Sequence, residues 1–372
     1  MKTKAIRVGI VVLILGLVGM VAVTLAQGNP IQEAAAAYFG AGYNLITAEA
    51  LYDNLNDGDE SNDPTIIDIR AAQDYEISHI PGAVHADGQA FFTEETLSTL
   101  PEDGQVVIYC YTGQTAGQVV GALNTLGYDA HSLKFGILGW DIIEGAPRWN
   151  NRMSQRYPVY TRPAELGGSY ELAAPLAQDA AEAANAYFGE GFKLITAGEL
   201  YDNLNDGDES NDPVILDIRA VQDYERGHLP GAVNVGGGAV FDVGTLTSLP
   251  DDDQIIVYCY SGQTSGQVVG VLNMLGYDAY SLKFGMPSWS IVIETGLWND
   301  NITMDYDTGG GGLPTTEPEP ELIAEPEPEL IEESEPEPEP VMAIGGVVPM
   351  VWVIGVVAVV GLVVVVLATR RR

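Results

Sequence analysis

The segment from about Ala34 to Asn151 returns from about Ala183 to Asp300, with matched residues displaced by 149 positions. Tyr38-Phe39-Gly40 reappears as Tyr187-Phe188-Gly189, Asp68-Ile69-Arg70 as Asp217-Ile218-Arg219, and Trp140 as Trp289. A repeat of this length can hold its own core, so the chain is a duplicated domain rather than a short-period solenoid. The full length of 372 residues agrees, because single cores stop growing well below it. The expected layout is a first domain over 30–157, a linker over 158–178 and a second domain over 179–306. Identity between the copies partly reflects the duplication itself. Even so, 87–99 and 236–248 have drifted while the segments around the cysteines have barely changed.

Each copy alternates short β-rich runs with helical stretches. In the first, Thr47 is placed to cap a helix through Asn54, and Pro64 to Ile69 forms a short apolar strand. Gln105 to Tyr109 is a second buried strand, Ala116 to Leu126 a helix stopped by Gly127, and Ala130 to Leu133 a third strand. In the second copy, Thr196 and Glu199 have the spacing of a capping box. The expected fold class is therefore α/β, each domain a parallel sheet with helices on both faces.

Only two cysteines occur, too few for a disulfide framework. Each lies at the carboxyl end of a buried strand, before a short loop and a helix. That sheet edge is where ligands gather in parallel folds, and a helix N-terminus brings unpaired N–H groups and a positive dipole end that stabilise a thiolate. The loops are Cys110-Tyr111-Thr112-Gly113-Gln114-Thr115 and Cys259-Tyr260-Ser261-Gly262-Gln263-Thr264. Glycine at the fourth place lets successive N–H groups converge on one anion, and the hydroxyls add donors. A disulfide between the two cysteines is not expected, since equivalent loops of separate domains would have to meet. Structurally, a lone cysteine is usually a small buried hydrophobe; two at equivalent junctions favour a reactive thiol.

At these residues a resemblance becomes specific. Asp-Ile-Arg after a buried strand, Tyr75-Glu76-Ile77-Ser78-His79-Ile80-Pro81-Gly82-Ala83, the cysteine loop, Gly127-Tyr128, and Gly136 with Trp140 together resemble the rhodanese family. The second copy repeats the pattern with Tyr224-Glu225-Arg226-Gly227-His228-Leu229-Pro230-Gly231-Ala232. The resemblance covers roughly two thirds of the chain and implies a tandem sulfurtransferase. In it Cys110 and Cys259 carry a persulfide between a small sulfane-sulfur donor and a thiol acceptor, with no cofactor and no metal. Both copies keep the cysteine, and Ser78 departs from the glycine that the pattern favours there.

Around the loops, Asp68 with Arg70 and Asp217 with Arg219 are expected to pair and brace the strand ends. His79 and His228 are expected to hold the following loop through hydrogen bonds rather than to act as bases. His85 and His131 become Asn234 and Tyr280 in the second copy, which leaves them without a shared role. The acidic turn from Asp53 to Glu60 has a calcium-like composition, but Leu55 and Pro64 stand where an EF-hand needs oxygen ligands, so a solvated loop is expected. A phosphatase or arsenate-reductase loop would place an arginine where Ala116 and Ser265 stand.

The chain ends suggest a location. Lys2, Lys4 and Arg7 precede an apolar run from Val8 to Val23, read as a signal peptide over 1–26 with an uncleaved anchor as the alternative. A Gly then Glu/Pro-rich stalk over 307–342 holds eleven Glu between 317 and 340 and is expected to be extended. Residues 343–369 are apolar and long enough for a transmembrane helix, followed by a cytoplasmic tail, Arg370-Arg371-Arg372. The expected place is a cell membrane, with the domains extracytoplasmic. A formal charge of −36 disfavours nucleic acid as a partner, and no protein partner is identified. The competing function is a non-catalytic, membrane-tethered binding or sensor module.

Overall fold

The computed structural model describes residues 29–142, 153–156 and 158–291. The signal, stalk, membrane helix and tail expected from the sequence lie outside them. Among the described residues no helix is long and apolar enough to cross a membrane.

The first unit runs α1 (Pro30–Ala41), β1 (Leu45–Ile46), α2 (Ala48–Leu55), β2 (Thr65–Asp68), α3 (Ala72–Ile77), β3 (Val84–His85), α4 (Glu94–Leu97), β4 (Gln105–Tyr109), α5 (Gln114–Thr125), β5 (Asp129–Leu133) and α6 (Ile137–Trp140). The second repeats it as α7 (Ala180–Gly189), β6 (Leu194–Ile195), α8 (Ala197–Asn203), β7 (Val214–Asp217), α9 (Val221–Arg226), β8 (Val233–Asn234), a 3-10 turn (Gly237–Phe241), α10 (Val243–Leu246), β9 (Gln254–Tyr258), α11 (Gln263–Met274), β10 (Asp278–Leu282) and α12 (Met286–Trp289). Local chemistry explains the starts: Thr47 accepts a hydrogen bond from Ala50 N, and Thr196 and Glu199 complete the expected capping box.

Both sheets are parallel, ordered β1-β5-β4-β2-β3 and β6-β10-β9-β7-β8. Side chains alternate across each central strand, and this alternation decides where the cysteines point. In β4, Val107 and Tyr109 join an outer core with Leu51, Ile80 and Trp140, whereas Val106 and Ile108 enter a second core. That second core is common to both units and also takes Ile255 and Val257 of β9. Cys110 and Cys259 continue the inward series, two residues beyond Ile108 and Val257, and belong to the shared core.

The units meet through reciprocal contacts. Helices α5 and α11 run parallel and touch through glycines: a Cβ on Gly117 or Gly121 would overlap the Gln263 or Gln267 carbonyl, and one on Gly266 or Gly270 would lie 2.5 or 2.6 Å from the Gln114 or Gln118 carbonyl. Phe39 stacks on Phe241 and Phe92 on Phe188, at 4.5 and 4.6 Å between ring centroids. Tyr38 donates to Gln267 Oε1 at 2.7 Å, and Tyr187 to Gln118 Oε1 at 2.6 Å. The described residues of the linker are bonded along the second unit. Tyr160 exchanges two 2.9 Å backbone bonds with His228, and Leu176 N donates to Met274 O.

Candidate active site

Helices α5 and α11 begin at Gln114 and Gln263, two residues before the start expected for the first, so Gln114, Thr115, Gln263 and Thr264 belong to first helical turns rather than to free loops. The cause is glycine: Gly113 (φ 82°) and Gly262 (φ 85°) take left-handed conformations that turn the chain from strand into helix. The same turn aims Gly113 N at Cys110 Sγ, 3.1 Å away, and Gly262 N at Cys259 Sγ, 3.2 Å away. Each sulfur therefore sits where N–H dipoles and a helix N-terminus favour a negative charge. Both thiols are free and buried.

The loop tyrosines turn away from the sulfur. Tyr111 donates to Asp74 Oδ2, and Tyr260 donates to Asp223 Oδ2 at 2.6 Å. Burial, followed by the bond to Asp74, pushes the Tyr111 phenol up to about 12, and the bond from Tyr260 holds the Asp223 carboxyl below its ordinary value. Thr112 and Ser261 accept from the Gln114 and Gln263 side-chain amides at 2.9 Å.

The other ends of those amides reach across the domain boundary. Gln114 Oε1 accepts from Phe284 N and Gln263 Oε1 from Phe135 N, both at 2.7 Å. Phe135 (φ 67°) and Phe284 (φ 65°) hold left-handed backbones that bulky residues rarely adopt, so each strained turn is bonded to the opposite unit. Gly136 and Gly285 follow, pressed against the Cys110 and Cys259 carbonyls with no room for a Cβ. The expectation that the two cysteine loops lie apart is thus overturned: they adjoin, because the parallel α5–α11 pair brings both helix N-termini to one end.

The supporting residues stand behind the loops. Arg70 Nε and Nη2 contact the Asp68 carboxylate at 2.7–3.1 Å, and Nη2 also donates to Ser78 O. Arg219 does the same with Asp217 and Gly227 O. His79 Nδ1 meets Tyr75 O at 2.7 Å; His228 meets Tyr224 O and Arg162 O, each at 2.9 Å. One expectation needs correction: His85 Nε2 and Asn234 Nδ2 both hold the carbonyl of the neighbouring arginine, Arg70 or Arg219, at 2.8 and 3.0 Å. The shared task is hydrogen bonding, which an amide performs as well as an imidazole. Among the described residues no group of three or more His, Cys, Asp or Glu is arranged to hold a metal.

The copies also differ at the sulfur. Ser265 N and Oγ both lie 3.4 Å from Cys259 Sγ, and Ala116 at the equivalent place has no hydroxyl. The aromatic that enters from the opposite unit differs too: Phe192 lies against Gly88, whereas Tyr43 lies against Gly237. Both substitutions are visible when the copies are aligned, but only the fold shows that Ser265 contacts Cys259 Sγ and that the two aromatics cross to the opposite unit.

A thiol at the carboxyl edge of a parallel sheet, facing the N–H groups of a glycine-turned loop that opens a helix, defines a cysteine-loop α/β domain, here present twice. The family profile of the rhodanese-like domain matches residues 47–142 and 196–291, more than half of the chain, and the chain belongs to that family. It is 45% identical over 71 residues to a tRNA sulfurtransferase of Pyrobaculum aerophilum, covering 19% of this chain and 14% of that protein. It is 33% identical over 98 residues to the probable adenylyltransferase/sulfurtransferase MoeZ of Mycobacterium tuberculosis, covering 26% of this chain and 24% of that protein. The chain thus spans a quarter or less of the length of these relatives. A solved thiosulfate sulfurtransferase from Pseudomonas aeruginosa aligns with 73% of this chain and 48% of its own, at 16% identity and a TM-score of 0.27.

Proposed function

We propose that the protein moves sulfane sulfur through persulfides on Cys110 and Cys259. The observation that carries this is the same at both sites: a lone buried sulfur faces a loop N–H at 3.1 or 3.2 Å at a helix N-terminus, so a negative charge on it is stabilised without any cation. The thiolate attacks the outer sulfur of a donor persulfide R–S–SH; the new S–S bond forms as the donor's own S–S bond breaks, and the electron pair leaves with R–S⁻. An acceptor thiolate then attacks the outer sulfur and returns the pair to the cysteine, so no net oxidant is needed.

The preferred donor is a persulfide or polysulfide of low charge, with thiosulfate the poorer substrate. The loops contain no Lys or Arg, and Arg70 and Arg219 are buried against their aspartates. Lys134 and Lys283 lie over the rings of Phe135 and Phe284 at 5.4 and 5.8 Å. The overall charge of −36 also slows the approach of a dianion. Sulfur transfer from glutathione persulfide and from thiosulfate, measured on the full chain and its Cys110→Ser/Cys259→Ser double variant, tests both statements. Activity that survives in the double variant removes the first, and a higher catalytic efficiency with thiosulfate at low salt removes the second.

The same proposal places the domains outside a membrane, held by the C-terminal apolar segment, on the strength of Arg370-Arg371-Arg372 and the N-terminal basic-apolar run. Protease added to intact cells should release the domains; release only after lysis would reverse the orientation.

A further inference from the structure

Tyr43 leaves the first unit just after α1 and enters the second. Its hydroxyl occupies the space that a Cβ on Gly237 would fill, and it is buried with no hydrogen-bond partner among the described residues. A buried, unpaired hydroxyl costs stability and calls for a partner that arrives later. The repeat shows where the ring tip lies. At the equivalent place Phe192 abuts Gly88, where a Cβ would also lie 3.7 Å from the Cβ of Ile69, and Ile69 N is bonded to the carbonyl of Tyr109, the residue before Cys110. Ile218 N makes the same bond to Tyr258, the residue before Cys259, and Tyr43 packs on the shared apolar cluster that holds Ile218 and both cysteines. Burial raises the Tyr43 phenol well above the ordinary tyrosine value, and a negative charge on Cys259 would raise it further, so the hydroxyl keeps its proton.

We propose that Tyr43 is a catalytic residue of the Cys259 site, supplied by the opposite domain, whose phenol donates a hydrogen bond to the outer, anionic sulfur carried on Cys259. This rests on the persulfide reading above. Cys110, whose unit receives Phe192 at the place equivalent to Tyr43 and has Ala116 in place of Ser265, is left with fewer donors. The two sites are thereby unequal: both accept sulfur, and Cys259 turns over faster. The proton is shared and not transferred, so the balance of the sulfur-transfer step is unchanged.

Single-site versions of the full chain separate the contributions: Cys110→Ser leaves Cys259, and Cys259→Ser leaves Cys110. With glutathione persulfide as donor, adding Tyr43→Phe to the Cys259-only protein should lower kcat by about ten- to a hundredfold, the worth of a hydrogen bond to a charged sulfur, with a smaller change in KM. Adding Phe192→Tyr to the Cys110-only protein should raise its kcat, a gain that misfolding cannot mimic. The proposal is overturned if Tyr43→Phe leaves kcat of the Cys259-only protein within about twofold, or if the same change slows the Cys110-only protein equally. A Cys259-only parent that transfers no sulfur and shows no persulfide by mass spectrometry would instead overturn the sulfur-transfer reading itself.

Discussion

Asp68 and Arg70 leave the end of a central strand side by side, and their side chains are fully shielded from solvent. Asp68 also accepts from Arg70 N, and Arg70 spans to Ser78 O, so one ion pair ties the strand end to the loop that follows α3. Ser78 fills that role in place of glycine because its backbone is extended (φ −162°), a conformation any residue adopts. A buried pair of this kind adds little net stability over an apolar pair, but removing one member strands the other's charge. Arg70→Ala is therefore expected to destabilise the protein by about 3–5 kcal/mol, and Arg70→Lys to be only a partial rescue, because lysine lacks the two-pronged fork. The urea midpoint of each variant measures this; an Arg70→Ala midpoint equal to the parent's would show that the pair is dispensable. His228, buried with a carbonyl at each ring nitrogen, ties the linker to the second unit, whereas His79 bonds to and stacks on Tyr75 of α3.

At the scale of elements, α5 and α11 show how context reverses a propensity. In an isolated helix Gly→Ala would stabilise by up to about 1 kcal/mol. Here a methyl group on Gly117 or Gly121 meets the backbone of the opposite helix, which cannot yield as a flexible side chain could. Gly121→Val is expected to cost about 1–3 kcal/mol or more through overpacking. It should also disturb sulfur transfer at both sites, because the displaced helix carries Gln267 away from Tyr38 and Gln118 away from Tyr187. Thermal unfolding alongside single-site activities checks this; an effect confined to the Cys110 site would contradict the linked geometry.

Across the whole molecule, tyrosines recur at the domain boundary and in the outer cores. Tyr38, Tyr43 and Tyr187 stand at the domain boundary, and Tyr109 and Tyr258 in the outer cores. In each the phenol is raised above the ordinary value of 10.0, first by burial; Tyr38 is pushed up to about 12. The unfolded chain then loses these protons before the folded one. Their contribution is intact below pH 10.0 and is lost as pH climbs through the folded values, from about 10 toward 12 and above. Tyrosinate absorbance and circular dichroism followed together should show these tyrosines ionising only as the structure unfolds. Smooth ionisation near pH 10.0 with the fold intact would show that burial does not hold them.

The order of elements was legible from the chain because it depends on local chemistry. Caps at Thr47 and Thr196 are matters of a few adjacent residues, and so are the apolar run of β4 and the glycine-turned cysteine loop. The duplication was legible because it is written twice in the same letters. By itself the sequence therefore determined two parallel α/β units, each with a thiol at a sheet edge, and the Asp-Arg pairs that support them. Only the tertiary structure decided that the two loops adjoin, that Gln114 and Gln263 bond to the opposite unit, and that Tyr43 crosses to lie against Gly237. Those facts depend on which face of each sheet is covered by the other unit. Side-chain alternation fixes that Cys110 shares a face with Val106 and Ile108, but alternation is the same whichever neighbour covers that face. The choice is made by the close approach of two glycine-bearing helices, a long-range contact that leaves no periodic signal in the chain.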